Sequence, residues 1–143
     1  MNAEINNHGR SNCPISHALD LFGDKWTLLI IRDIVLFGKN KFSEFLTSDE
    51  RIATNIARNR LQKLTENGFL TKKIMTGKHW TIPYTLTEKA IDLVPLLIDL
   101  TEWGAKYGTA GALADLAESI NINKEKTIAE IQKKLRDQVS LPA

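Results

Sequence analysis

The stretch that decides the fold is Ile52-Ala53-Thr54-Asn55-Ile56-Ala57-Arg58-Asn59-Arg60-Leu61-Gln62-Lys63-Leu64-Thr65-Glu66-Asn67-Gly68. Ile56, Ala57, Leu61 and Leu64 recur at helical spacing and predict one apolar stripe, while Thr54, Asn55, Arg58, Asn59 and Gln62 fall mainly on the opposite side. Those five residues are rich in amide and guanidinium groups and include no acid, so they offer what hydrogen-bonds base edges and pairs with phosphates. Thr54, Asn55, Arg58 and Asn59 are the expected base readers. Gly68 sits where a helix C-terminus favours glycine, and Phe69-Leu70 returns the chain to the core as an extended segment. The competing reading is an ordinary amphipathic surface helix.

Charge is distributed in a way that favours the first reading. The formal net charge is only +2, but residues 51 to 80 hold Arg51, Arg58, Arg60, Lys63, Lys72, Lys73 and Lys78 against Glu66 alone, which is +6. Residues 1 to 50 (five basic, seven acidic) and 81 to 143 (seven basic, nine acidic) are each −2. A basic centre between mildly acidic ends points to one electropositive face directed at a polyanion.

Working outward, residues 1–12 are polar and read as a flexible arm. Cys13-Pro14 opens a first helix with Ile15, Leu19 and Phe22 on one side, and Gly23 ends it. Asp24 is the expected N-cap of a second, largely apolar helix from Lys25 to about Phe37, interrupted by Arg32 and Asp33, which should pair with neighbours at the surface. Ser43 is placed to cap a short helix, and that helix, a break and the stretch above make a helix-turn-helix unit. Two β-prone runs, 70–75 and 81–86, flank a tip at 76–80 and predict a basic hairpin, with Pro83 at an edge or bulge. Thr87 is the expected cap of a long helix from Glu88 to about Tyr107 that Pro95 kinks or splits. Beyond Gly104, Gly108 and Gly111, residues 108–143 form a helical extension with an Ile128, Ile131, Leu135 stripe.

The 143 residues suffice for one core. No run of about 18 apolar residues is present to span a membrane, and the polar N-terminus lacks a secretory pattern, so a cytoplasmic location is expected. One cysteine excludes an internal disulfide framework and a multi-cysteine zinc site. Catalysis would need a base and a nucleophile aligned by a third group. Cys13, His8, His17 and His79 come without a glycine-rich phosphate loop or metal-ligand spacing, so neither an enzyme nor a cofactor is expected.

In order and spacing, several blocks together resemble the HxlR-type family of bacterial winged helix-turn-helix transcription regulators over about residues 13–107. They are Cys13-Pro14, the run Gly23 to Asp33, Phe42-Ser43-Glu44-Phe45, Ile52 to Ile56, Arg60-Leu61, Gly68-Phe69-Leu70, Tyr84 to Lys89 and Glu102-Trp103-Gly104. The resemblance implies a mainly α fold with a small β-hairpin: a three-helix head plus wing, with N- and C-terminal dimerisation helices. It also implies a sequence-specific DNA-binding regulator working as a homodimer on a palindromic operator. Ile15 and Leu19, with Leu96, Leu97, Leu100 and Trp103, are the expected dimer contacts; the long helix carries more apolar surface than one head can cover. Lys25, Ser43, Arg60, Gln62, Lys72, Lys73, Lys78 and His79 are the expected phosphate and wing contacts.

In several members of the family the cysteine in the position of Cys13 responds to oxidants or electrophiles. This makes an oxidant or small-molecule inducer a further implied partner. A helix N-terminus favours thiolate and His17 lies one turn on, whereas the alternative is a small buried packing residue. Two departures stand out. Many members begin the recognition helix with Ser-Pro where this chain has Ala53-Thr54, so either the cap is lost or Thr54 supplies it. Many have an arginine in the second wing strand where this chain has Thr81, which shifts any wing contact to Lys78 or His79. The remaining alternative is a winged helix that binds only protein, which predicts no basic bias on the recognition helix and wing.

Overall fold

The computed structural model describes residues 11–72 and 82–140. Among the described residues seven α-helices and two strands follow one another: α1 Pro14–Phe22, α2 Lys25–Phe37, α3 Phe42–Phe45, α4 Thr54–Glu66, β1 Leu70–Lys72, β2 Tyr84–Leu86, α5 Glu88–Ile91, α6 Val94–Tyr107 and α7 Ala114–Ser140, with a 3-10 turn at Gly111–Leu113 before the last. The strands pair antiparallel with Leu70 opposite Leu86 and Lys72 opposite Tyr84. Tyr84 N–H donates to Asn40 O at 2.8 Å, which ties the returning strand to the turn after α2. The hairpin tip lies outside the described residues.

The apolar run in α2 becomes the centre of the core, where Ile30, Ile31, Ile34 and Val35 meet Phe45, Leu61, Leu64 and Phe69. Asp24 caps this helix as expected, accepting the Thr27 N–H at 3.0 Å and the Thr27 hydroxyl at 2.9 Å. Arg32 and Asp33 do pair, but Asp33 is buried, not at the surface. Its carboxylate accepts Arg32 at 2.7 Å and the Ser48 hydroxyl, with Lys39 Nζ 3.6 Å away. Arg32 also forks onto both Glu50 oxygens at 2.8 and 2.9 Å. This network joins α2 to the turn that precedes α4. Glu50 is held down to about 2 by that Arg32 contact.

Two expected caps belong to other residues. Ser43 is the second residue of α3, whose N-cap is Lys41; the Glu44 carboxylate closes this end by accepting the Asn40 and Lys41 N–H groups at 3.1 and 3.0 Å. Those two donors keep its carboxyl below the ordinary range. Thr87 occupies the N-cap position of α5, but its hydroxyl donates backward to Gly68 O at 2.6 Å and Phe69 O at 3.2 Å. The helix expected from Glu88 is split into α5 and α6, with Pro95 in the first turn of the second piece, where its missing N–H costs nothing.

α7 breaks its helical path at Asn123 (φ −159°, ψ 95°) and packs Ile120 and Leu135 into the core shared by α2, α4 and α6. Lys124 bridges to Asp99 at 2.6 Å and Glu102 at 2.9 Å, and Arg136 to Glu88 at 2.6 Å. No described helix is long and apolar enough to cross a membrane.

Candidate nucleic-acid interface

The interface is built on α4. Ala57, Leu61 and Leu64 are buried at successive turns and seat the helix on α2, so Asn55, Asn59, Gln62 and Glu66 face directly outward. Thr54 is the first helical residue and the N-cap is Ala53, with no side-chain cap, so the capping hydroxyl is lost and Thr54 does not replace it. Four N–H groups at such an end lack intrahelical partners, a setting suited to a phosphate. At the other end Gly68 takes φ +81°, Phe69 N–H returns to Leu64 O at 2.9 Å and Gly68 N–H to Thr65 O at 3.2 Å. This is the paired bonding of a glycine-ended helix.

The outward face differs from its sequence reading in two side chains. Glu66 adds an acid at the far end of that face and accepts the Gln62 amide at 3.0 Å, a four-residue spacing visible in the sequence. Arg60, expected at a phosphate, turns back toward α2. Its Nε donates to Asp24 Oδ2 at 2.6 Å and its Nη1 to Asn59 Oδ1 at 2.7 Å. The guanidinium holds the Asp24 carboxyl down at about 2.

Thr54, Asn55, Arg58 and Asn59 are all exposed on the N-terminal half of the helix. The Arg58 guanidinium lies over the Phe42 ring, 5.1 Å from its centroid, which orients it from α3 while leaving its N–H groups at the surface. The Asn55 side chain makes no hydrogen bond among the described residues. Lys25, with its Nζ 5.1 Å from the Trp26 centroid, and Ser43 are exposed. Lys72 is exposed on β1, 5.7 Å from the Tyr84 ring. Lys73, Lys78, His79 and Thr81 lie outside the described residues.

Of the expected dimer contacts, Ile15, Leu19, Leu100 and Trp103 are exposed and Leu96 is half-buried. Leu97 is not available, because it turns into the chain's own core beside Val94 and Ile98. Tyr107, not singled out in the sequence, joins Trp103 with ring centroids 5.1 Å apart. Cys13 is exposed at the N-cap of α1 in the single chain.

The model of the HxlR-like helix-turn-helix family matches residues 21–112. The chain belongs to that family. This HxlR-like chain is 27% identical over 95 residues to the uncharacterized HTH-type transcriptional regulator YdeP of Bacillus subtilis (strain 168), a match spanning 66% of the chain and 73% of YdeP. Against the HTH-type transcriptional regulator BH0655 of Halalkalibacterium halodurans, also uncharacterized, identity is 30% over 93 residues, 65% of the chain and 82% of BH0655.

Among solved structures, the reduced form of the transcriptional regulator YodB from B. subtilis superposes with a TM-score of 0.56 at 26% identity, covering 69% of this chain and 97% of YodB. The redox regulator HypR in its oxidized form gives 0.59 at 28% identity, covering 66% and 96%. The HxlR-like chain is thus a winged helix-turn-helix transcriptional regulator.

Proposed function

We propose that this HxlR-like regulator works as a homodimer on a two-fold symmetric operator, with Thr54, Asn55, Arg58 and Asn59 of each subunit reading base edges in the major groove. The observation that carries the dimer is the exposure of large apolar side chains on α1 and α6: Ile15 at 69%, Leu19 at 56%, Leu100 at 48%, Trp103 at 67% and Tyr107 at 66%. A DNA-binding head gains nothing from such side chains in water, whereas a second copy would bury them. Lys25, Lys72 and the basic residues of the hairpin serve as phosphate contacts. Residues 13–107 hold the head and dimerisation helices, and 108–143 brace them as a C-terminal extension. The protein acts in the cytoplasm.

Two recognition helices related by a two-fold axis read half-sites roughly 34–36 Å apart. The test is selection of bound genomic fragments combined with sedimentation of the free protein. An inverted repeat at that spacing and a dimer at micromolar concentration support the reading. A monomer with full affinity for single half-sites defeats it.

A second function is favoured by the exposure of Cys13 beside Ile15. We propose that a peroxide oxidises two Cys13 thiols to an inter-subunit disulfide, the thiols losing two protons and two electrons and the peroxide leaving as two waters. YodB and HypR, solved in reduced and oxidized forms respectively, make oxidation the first stimulus to try. DNA binding by the parent and by Cys13→Ser is compared before and after peroxide. A response in the parent alone assigns the sensor, and equal indifference in both removes it.

A further inference from the structure

We infer that Asn59 and Arg60 form a single reading unit selective for a base edge that only accepts hydrogen bonds, guanine above all, with Asp24 as its positioning residue. The inference rests on α4 lying in the major groove and adds which base it asks for at one position.

A free asparagine presents a donor and an acceptor side by side and so matches adenine, accepting from N6 and donating to N7. Asn59 is not free in that sense. Its Oδ1 already accepts Arg60 Nη1 at 2.7 Å, a charge-assisted bond. The orientation of this amide is the one the guanidinium dictates, since the opposite rotamer would set NH2 against N–H.

Arg60 in turn is held from behind by Asp24, at 2.6 Å from Nε and 3.5 Å from Nη2. Asp24 is itself fixed by the N–H and hydroxyl of Thr27, which is buried in α2. A continuous chain of hydrogen bonds therefore runs from the scaffold helix to the outward face of α4, and what it exposes there is the Asn59 NH2 beside a guanidinium.

Each base responds differently to that surface. Guanine offers O6 and N7, both acceptors, to the amide and any guanidinium N–H left uncommitted. Thymine offers O4 alone. Adenine and cytosine bring exocyclic NH2 groups toward a surface of donors and positive charge. Asn55, one turn earlier and with no side-chain hydrogen bond among the described residues, keeps both its donor and its acceptor and remains matched to adenine.

The test uses the full chain and duplexes enriched by the wild-type protein from a random pool, with Asn59→Ala locating its position in each half-site. At that position the wild type is expected to prefer guanine over adenine by about tenfold, and to weaken when guanine is replaced by 7-deazaguanine, which lacks the N7 acceptor. Arg60→Met should shift this position toward adenine and leave the others unchanged. Asp24→Asn, which keeps a capping side chain, should shift it the same way by a smaller factor and carries the comparison should Arg60→Met fail to fold.

An unchanged base profile in the variant that folds overturns the inference. So does an Arg60→Met protein that loses affinity evenly for all sequences with a salt slope reduced by about one, because Arg60 would then be a phosphate contact. Failure of the underlying reading looks different: alanine at Asn55, Arg58 and Asn59 together would leave affinity for the enriched duplex intact.

Discussion

Arg60 Nε stands 2.6 Å from Asp24 Oδ2, so a cation on the recognition helix is joined to the cap of the helix behind it. Asp24 thereby ends α4's freedom to roll on α2 while it closes the N-terminus of α2 itself. One carboxylate serves both elements.

This contact should appear in the acid limb of stability. The ordinary carboxyl value of 3.8 is lowered to about 2 in the fold, chiefly by the hydrogen bond from Arg60. A folded value below the unfolded one means that the contact stabilises fully above about pH 4 and is lost as pH falls through about 2. With Asp24 37% exposed, screening limits its worth to at most about 1 kcal/mol. Asp24→Asn should therefore melt below the parent at pH 7, with the gap closing toward pH 2 in a series of thermal scans. A gap independent of pH would assign the loss to capping instead of charge.

Alanine at Asn55, Arg58 and Asn59 should lower specific affinity without unfolding the head, because all three are exposed. Each good bidentate base contact is worth about 1–3 kcal/mol, so the combined loss should reduce operator binding toward the non-specific level. Anisotropy titrations on operator and scrambled duplex measure the difference, with circular dichroism as the control for folding.

Lys72 lies on the strand just after the recognition helix, and its charge does not depend on sequence. Lys72→Gln should weaken binding to every duplex alike and reduce the salt slope by about one. An unaltered slope would take β1 out of the interface.

Asp33 is where the head should be most fragile. It is 2% exposed and receives Arg32, Lys39 and Ser48. Asp33→Ala removes the buried carboxylate that Arg32, Lys39 and Ser48 share, leaving Arg32 to Glu50 and Lys39 to Ser48, and should cost about 3–5 kcal/mol, read from urea unfolding. A loss under about 1 kcal/mol would mean that water satisfies the network.

Local signals predicted their positions reliably, because each depends only on neighbours along the chain. The glycine turn at Gly68, the cap at Asp24, the Pro95 break and the stripe of Ala57, Leu61 and Leu64 all belong to this class. What the sequence hid were choices between partners far apart in it. Arg60 finds Asp24 across 36 residues, and Arg32 finds Glu50 across 18. Thr87 has the composition of a cap, yet carbonyls 18 and 19 residues back take its hydroxyl. Leu97 is chemically the same as Leu96 and Leu100, and only the direction of α6 over the core decides that it is the one buried.

The end of α4 is fastened as firmly as its middle. Thr87 bonds to Gly68 and Phe69, while Lys89 donates to Asn67 O at 2.8 Å and lies over the Phe69 ring, 4.8 Å from its centroid. Asp24 grips the same helix about two turns earlier, through Arg60, so α4 is tied to its neighbours both near its middle and at its C-terminal end. A stimulus that turned the helices joining two subunits would leave each set of base-reading side chains internally intact and alter only the angle between the two sets. Such a regulator would be silenced by misalignment, with its affinity for an isolated half-site preserved while its affinity for the paired site collapsed.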